Sequence, residues 1–230
     1  MIKNGLRLGF NTSQHFRKLG IRQSLALFRS LGLQAVELMQ SQELAEYLPE
    51  ASPDDFADFE YVSVHGATIA DSERPARISE IKALNEVRRL DLVVFHPDRI
   101  EDFDLLRASG LPIGLENSDH RKKSFRFAAE MAAVLKKYPE FRMVLDLNHI
   151  YANDPSMQLA GEFIQAAGER VAEIHLSGFD PATLHAPLFK TKQAQIIRAL
   201  PAASPVIIVE SPVQPGEAVK ELEYIRETYK

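Results

Sequence analysis

The chain has 230 residues, of which 45% are hydrophobic and 26% are charged, a balance typical of globular proteins with a sizeable core. Its 27 basic and 32 acidic side chains give a net charge of −5, which argues against a surface that binds nucleic acid over its whole extent. The sequence contains no cysteine, so disulfides, thiolate metal sites and cysteine nucleophiles are excluded.

The sequence also lacks the features of a membrane or secreted protein. No apolar run approaches the ~20 residues that a membrane-spanning helix needs. The first residues lead into a strand-like segment and lack the apolar core of a signal peptide. We therefore expect a cytoplasmic protein with no membrane partner.

Short apolar runs recur along the chain at intervals of roughly 30 residues. Most are rich in Val, Ile and Leu, as is typical of strands that are buried on both faces. The eight predicted strands are Leu6–Asn11, Ala35–Met39, Tyr61–Gly66, Leu92–His96, Ile113–Asn117, Met143–Leu147, Ala172–Ser177 and Val206–Ser211.

Segments with helical spacing of apolar residues lie between these strands. The stronger patterns predict helices over Ile21–Leu31, Ser79–Leu90, Phe125–Lys137, a segment opened by Pro155 and continued to Ala167, Gln193–Leu200 and Gly216–Tyr229. Weaker patterns predict helices over Ser41–Leu48 and Asp102–Ala108.

Eight strand–helix repeats of ~30 residues predict an α/β protein with a (β/α)8 TIM barrel, in one domain that spans residues 1–230. A doubly wound open sheet is the alternative fold. It is disfavoured because the turn after the first strand lacks the glycine-rich pattern of a nucleotide site.

Residues that can bind a metal end six consecutive predicted strands. They are His65, His96, Glu116, Asp146, His175 and Glu210, and His149 and His185 lie in loops that follow such strands. In a TIM barrel these positions share one rim. Imidazole and carboxylate are the usual ligands of Zn, Mn, Fe and Co when thiolates are absent. The pattern therefore predicts a divalent-metal site, and the remaining histidines, His15 and His120, fall in loops of the same face.

Basic residues follow the fifth predicted strand. Arg121 and Lys123 are candidates for binding the phosphate of a sugar phosphate or of a nucleic-acid backbone. A solvated loop at the start of a helix is the alternative interpretation. Glu37, at the end of the second strand, has two open interpretations as well: it reaches the metal site, or it forms a salt bridge inside the barrel.

The order of these motifs resembles that of the xylose-isomerase-like TIM barrels. This superfamily includes sugar isomerases, sugar-phosphate epimerases, inosose dehydratases and endonuclease-IV-type AP endonucleases. The resemblance covers essentially the whole chain and is carried by Ala35-Val36-Glu37-Leu38, Val64-His65-Gly66, Gly114-Leu115-Glu116-Asn117, Leu145-Asp146-Leu147-Asn148-His149, Glu173-Ile174-His175-Leu176 and Val209-Glu210-Ser211.

The resemblance to the epimerase-like members implies a single metal site. Its ligands would be Glu116, Asp146, His175 and Glu210. The two glutamates would also be the catalytic acid–base pair, which moves a proton at a carbon next to a carbonyl. The resemblance implies that His149 contacts substrate hydroxyls, and Asn117 is a further candidate for substrate binding.

The resemblance to the AP endonucleases implies a cluster of two or three ions. The added ligands would be His65, His96, His149 and His185. That family has an aspartate at the position of Thr183, and the epimerases have an arginine in the same loop. The loop Gly178–Phe189 contains neither of these residues at those places.

The sequence thus predicts a divalent-metal-dependent isomerase or epimerase that acts on a sugar or sugar phosphate, with one to three ions of Zn, Mn, Co, Fe or Mg. An AP-endonuclease-like phosphodiester hydrolase, a cyclitol dehydratase and a non-catalytic metal- or carbohydrate-binding protein remain open alternatives. The negative net charge disfavours a nucleic-acid partner, and the sequence does not indicate an oligomeric state.

Overall fold

The apolar runs of the sequence form the strands of a closed barrel in the computed structural model, which describes residues 6–13, 16–68, 72–201 and 205–229. The strands are β1 (Leu8–Asn11), β2 (Ala35–Met39), β3 (Tyr61–His65), β4 (Leu92–Phe95), β5 (Ile113–Glu116), β6 (Arg142–Asp146), β7 (Val171–Leu176), the hairpin strands β8 (Gly178–Asp180) and β9 (Leu184–Ala186), and β10 (Val206–Val209).

Eight of these strands are parallel, and each pairs with its neighbours along the chain. β10 pairs with β7 on one side and with β1 on the other, which closes the barrel. β8 and β9 form a separate antiparallel hairpin. The predicted (β/α)8 barrel is therefore confirmed.

The helices follow the strands in alternation, as βα units require. They are α1 (Ile21–Ser30), α2 (Gln42–Tyr47), α3 (Arg74–Val87), α4 (Phe103–Ala108), α5 (Ala128–Lys137), α6 (Leu147–Asn153), α7 (Gln158–Ala167), α8 (Leu188–Thr191), α9 (Ala194–Arg198) and α10 (Ala218–Thr228). None of the described helices is long and apolar enough to cross a membrane.

The barrel interior changes from apolar to polar along the strand direction. Two small apolar clusters occupy it near the strand starts: Ala35, Val206 and Ile208 form one, and Leu92, Val94 and Val144 form the other. Because side chains alternate between the two faces of a strand, the residue two positions further along points inward as well. On four strands, the residue two positions after the last cluster residue is a site residue. These residues are Glu37, His96, Asp146 and Glu210.

A register shift between β6 and β7 changes this alternation locally. Met143 pairs with Val171, whereas the next residue, Val144, pairs with Glu173. The shift places the side chains of Glu173 and His175 in the interior, where both are fully buried. A bulge of this kind redirects side chains at the end of a strand.

The structure corrects several predicted helix boundaries. α3 begins at Arg74, before the predicted Ser79, because Pro75 occupies a favourable first-turn position. It ends at Val87, and the side chain of Asn85 accepts the backbone N–H of Leu90.

Pro155 does not open a helix, contrary to the prediction. α6 follows β6 directly, and Pro155 lies in the turn after α6, where Asp154 accepts the backbone N–H groups of Ser156 and Leu159. α7 begins only at Gln158.

The last helix holds the end of the long loop after β7. The buried carboxylate of Glu221 on α10 accepts the backbone N–H groups of Leu188 (2.8 Å) and Phe189 (2.9 Å) at the start of α8. It also accepts a hydrogen bond from Ser211, which follows β10. Glu221 thus connects α10 to two loops at the carboxyl ends of the strands.

The close packing of β1 against β2 gives a test of the barrel geometry. A Cβ added at Gly9 would lie 2.4 Å from the backbone oxygen of Ala35, so the two strands must move apart. We expect Gly9→Ala to lower the free energy of unfolding by about 1–3 kcal/mol, as overpacking does.

Gly161 on α7 is the matched control, since nothing lies within 4 Å of an added Cβ there. Gly161→Ala should raise the free energy of unfolding by about 0.5–1 kcal/mol through helix propensity. Denaturant titration measures both values, and equal effects of the two substitutions would contradict the close approach at Gly9.

Candidate metal centre

Glu116, at the end of β5, lies at the centre of a group of histidines. Its Oε2 atom is 3.1 Å from Nε2 of His65 and 3.4 Å from Nδ1 of His96. Its Oε1 atom is 3.3 Å from Nδ1 of His175 and 3.4 Å from Nδ1 of His149. The ends of β3, β4 and β7 and the first turn of α6, where the structure places His149 instead of in a loop, therefore bring imidazoles to a single buried carboxylate.

The four residues Glu116, Asp146, His175 and Glu210 offer ligand atoms that all lie within 4.8 Å of one another. Asp146 performs two tasks there: its Oδ1 atom accepts the backbone N–H of His149 (2.8 Å) and caps α6, while its Oδ2 atom is buried without a hydrogen-bond partner. A buried, unpartnered carboxylate oxygen beside an imidazole is costly to desolvate. This donor set fits a divalent cation.

Three further groups have the same spacing. The first consists of His65, Glu116 and His175, the second of Asp146, His149 and His185, and the third of Glu37, Glu173 and His175. In the second group Asp146 supplies the carboxylate. Thr183, at the position where the AP endonucleases have an aspartate, lies in the hairpin turn and donates its backbone N–H to the side chain of Asp180 (3.0 Å). The donor positions thus extend over more than one ion site.

The hairpin after β7 positions His185, and the sequence patterns did not predict this hairpin. Ser177 and Nδ1 of His185 are hydrogen-bonded at 2.8 Å, which leaves Nε2 available for a ligand. The side-chain amide of Asn148 on α6 donates to the carbonyls of Gly178 (2.6 Å) and Leu184 (3.1 Å). These bonds fix both hairpin strands to the end of β6.

Asn117, a candidate for substrate binding, links two strand ends instead of lining the cavity. Its amide oxygen accepts the backbone N–H of Asp146 (2.8 Å), and its amide nitrogen donates to the backbone oxygen of Asp146 (3.0 Å). Its own backbone oxygen lies 2.8 Å from Nδ1 of His149. Asn117 therefore orients two of the ligand candidates.

A second polar layer lies inside the barrel, beneath the metal centre. Nε2 of His175 is 2.8 Å from Oε1 of Glu173 and 3.4 Å from Oε2 of Glu37. Asn11 donates a hydrogen bond to Glu37. Of the two interpretations of Glu37, the contacts of the described residues show the pairing with an imidazole inside the barrel, in the layer beneath the cavity. Glu173 was not singled out from the sequence, although its spacing of two from His175 places both on one strand face.

The carboxylates of the centre differ in acidity. Burial would raise the pKa of Glu116, but the imidazoles of His96 and His175 outweigh burial and hold that pKa well below its usual value. Burial raises the pKa of Glu210 to about 8, and the charge of Glu116 adds to this effect. The neighbouring imidazoles thus favour the ionised form of Glu116, whereas burial favours the protonated form of Glu210.

The histidines differ in the same way. Burial lowers the pKa of His96 to about 4. Burial would also lower the pKa of His65, but Glu37 and Glu116 outweigh it and raise that pKa to about 10. Pairs of groups whose acidities diverge are typical of sites that carry out proton transfer.

A cavity of about 360 Å³ opens above the centre and is lined by His65, His96, Glu116, His149, His185 and Glu210. Arg121 and Lys122 lie at its edge, and each faces a carboxylate: Arg121 is 2.8 Å from Asp119, and Lys122 is 3.4 Å from Asp98.

The other basic residues that the sequence singled out lie apart from the cavity lining. Lys123 and His120 are exposed, and His120 contacts the ring of Phe179. His15 falls outside the described residues. Of the residues considered for an anion site, Arg121 is therefore the one at the cavity edge.

Comparison with solved structures finds the same fold in enzymes of different activity. Endonuclease IV from Thermus thermophilus superposes with a TM-score of 0.71 at 19% identity, covering 96% of this chain and 98% of that one. The 3-keto-D-glucoside 4-epimerase of E. coli gives 0.67 at 16%, covering 96% and 99%. The IolI protein with a bound zinc atom gives 0.62 at 17%, covering 97% and 95%.

The chain thus shares the (β/α)8 barrel fold of these three proteins, as the resemblance inferred from the motifs predicted for the fold. No protein-family model and no curated protein sequence matches the chain. Identities below 25% establish the fold alone, because one barrel carries many chemistries.

Asp146 provides a test of metal binding. Zn²⁺ or Mn²⁺ at 100 times its Kd should raise the free energy of unfolding by about 2.7 kcal/mol, and EDTA should reverse the effect. In Asp146→Asn the amide oxygen can still cap α6, but the charged Oδ2 atom is lost. We therefore expect a metal-free stability close to that of the original protein and a largely lost response to metal.

Denaturant titration with and without metal, together with the metal content per chain, measures this prediction. An equal metal response in the original protein and in Asp146→Asn would show that Asp146 is not a ligand.

Proposed function

We propose that this protein is a divalent-metal-dependent isomerase or epimerase that acts on a sugar or sugar phosphate. The observation that supports this most is the placement of two glutamates around one imidazole at the floor of the cavity. Oε1 of Glu116 and Oε1 of Glu210 lie 3.3 Å and 3.5 Å from Nδ1 of His175. A cavity of about 360 Å³ suits a small molecule.

The residues that would hold the cation are Glu116, Asp146, His175 and Glu210. A bound divalent cation supplies a Lewis acid that polarises a substrate carbonyl and favours loss of the neighbouring proton. The two glutamates supply the proton transfer: one carboxylate removes the proton from the carbon next to the carbonyl, and the other delivers a proton to the carbon skeleton. Glu116 ends β5 and Glu210 follows β10, and both side chains line the cavity.

Other residues of the cavity would orient the substrate. Nδ1 of His149 is engaged by the backbone oxygen of Asn117, so Nε2 remains for a substrate hydroxyl or a cation. Arg121 at the edge is a candidate for a phosphate group, although Asp119 already neutralises part of its charge. This pairing, like that of Lys122 with Asp98, favours a small substrate over the phosphates of a nucleic acid.

The proton transfer can be followed by exchange of solvent deuterium into a ketose. The metal-loaded protein should incorporate deuterium at the carbon next to the carbonyl. Glu116→Gln and Glu210→Gln should each lower the exchange rate by about 10²–10⁴-fold, since an amide cannot accept the proton.

Glu162→Gln, on the exposed surface of α7, makes the same chemical change away from the cavity and should leave exchange unchanged. Because the two glutamates are also ligand candidates, metal content must be measured in each variant. Exchange at the original rate in a metal-loaded Glu116→Gln or Glu210→Gln protein would refute the acid–base assignment.

A second candidate function is hydrolysis of a phosphodiester, as in AP endonucleases. The group formed by Asp146, His149 and His185 favours it, because it lies beside the four-residue group and shares Asp146 with it. Neighbouring divalent ions are typical of enzymes that activate water and stabilise a leaving oxygen.

Cleavage of a duplex with one abasic site distinguishes the two functions. The isomerase or epimerase proposal predicts no cleavage above the metal-only control and one tightly bound ion per chain. Cleavage that disappears in His185→Ala, together with two or three bound ions, would favour the hydrolase instead.

A further inference from the structure

The two ring nitrogens of His175 face different surroundings. Nδ1 points to the metal centre, where the carboxylates of Glu116 (3.3 Å) and Glu210 (3.5 Å) lie. Nε2 points into the barrel, 2.8 Å from Oε1 of Glu173 and 3.4 Å from Oε2 of Glu37. The ring is fully buried, so protein groups determine both orientations.

The contact with Glu173 has the geometry of a strong hydrogen bond. In the tautomer that carries its proton on Nε2, this atom donates to the carboxylate oxygen and Nδ1 keeps its lone pair on the metal side. The two residues are neighbours on the inward face of β7, where the register shift turns both side chains into the barrel. A buried carboxylate that served only to fill space there would be costly to desolvate.

We propose that Glu173 is a positioning residue: it holds His175 by its Nε2–H group so that Nδ1 is the atom that binds the cation. The proposal rests on the metal centre of the proposed function and assigns a role to a residue of the layer beneath it. Carboxylates that orient a metal-binding histidine fix its tautomer and ring plane, and their loss typically weakens metal binding by 10–100-fold.

Glu173→Met is the main test. Methionine has a similar length but no hydrogen-bond acceptor for Nε2–H, and exchanging a buried charge for an apolar side chain is often tolerated by the fold. We expect the folded variant to bind Zn²⁺ about 10–100-fold more weakly, as measured by competition with a chromophoric chelator.

Glu173→Gln tests rescue, because its amide oxygen still accepts the Nε2–H bond. This variant should bind Zn²⁺ more tightly than Glu173→Met does. Leu92→Val is the control: Leu92 is buried in an apolar cluster of the barrel interior, and its side chain cannot form a hydrogen bond to Glu173 or His175. Its Zn²⁺ affinity should stay within about twofold of the original, since no contact of a ligand changes.

Long-range ¹H–¹⁵N spectra of the zinc-loaded protein, labelled at histidine, provide a second readout. We expect His175 to be protonated at Nε2 and bound to zinc through Nδ1, and we expect Glu173→Met to alter the Nε2–H signal. Protonation at Nδ1 with zinc at Nε2 in the original protein would overturn the proposal, and this measurement does not depend on the folding of any variant.

The outcomes separate this proposal from the function on which it rests. If the original protein binds neither Zn²⁺ nor Mn²⁺, both fail. If it binds Zn²⁺ and Glu173→Met binds equally tightly, the positioning role is wrong while the metal centre stands. If Glu173→Met weakens binding but Leu92→Val weakens it as much, the effect is general to the buried interior and the proposal is again wrong.

Discussion

The attraction between buried carboxylates and imidazoles is the interaction on which the rest of the site depends. Glu116 alone would be unstable inside the barrel, but four histidines surround it, and His96, His175 and His65 lower its pKa. Below it, the carboxylates of Glu37 and Glu173 likewise contact the imidazole of His175. Because one partner without the other leaves an uncompensated buried charge, the two polar layers have to be formed together. A divalent cation would satisfy the remaining unpaired oxygen of Asp146.

Much of this fold is predictable because two simple periodicities govern it. Strands buried on both faces give continuous apolar runs, and inward positions recur every second residue, so Leu92 and Val94 lead to His96. The elements that the sequence pattern did not predict, such as the hairpin after β7, depend on individual contacts. α6 is short and begins at a cap supplied by Asp146, and the hairpin after β7 is held by Asn148 from another element. Such contacts bring together residues that are distant in sequence.

The candidate site was predictable to the extent that its residues end strands. The strand-end rule brought Glu116, Asp146 and His175 together without any knowledge of their contacts. Glu173 was not predicted as a site residue because it lies before the strand end, at a position where an apolar residue is expected. Its side chain points inward because of the register shift between β6 and β7. Lys123 lies in the loop after β5, where the sequence alone does not give the direction of a side chain, and its side chain is exposed outside the residues that line the cavity. Direction, rather than position along the chain, was the missing information.

Glu221 has a consequence for how the barrel is completed during synthesis. It fixes the loop that carries His185 and the segment after Glu210, yet it belongs to α10, which is translated after every ligand candidate. A nascent chain with its first seven barrel strands outside the ribosome would lack both Glu210 and this anchor. The ligand candidates are therefore complete only once the segment after β10 is in place, and the loop of His185 is fixed only once α10 has docked, so a cation that binds there would be enclosed late in maturation.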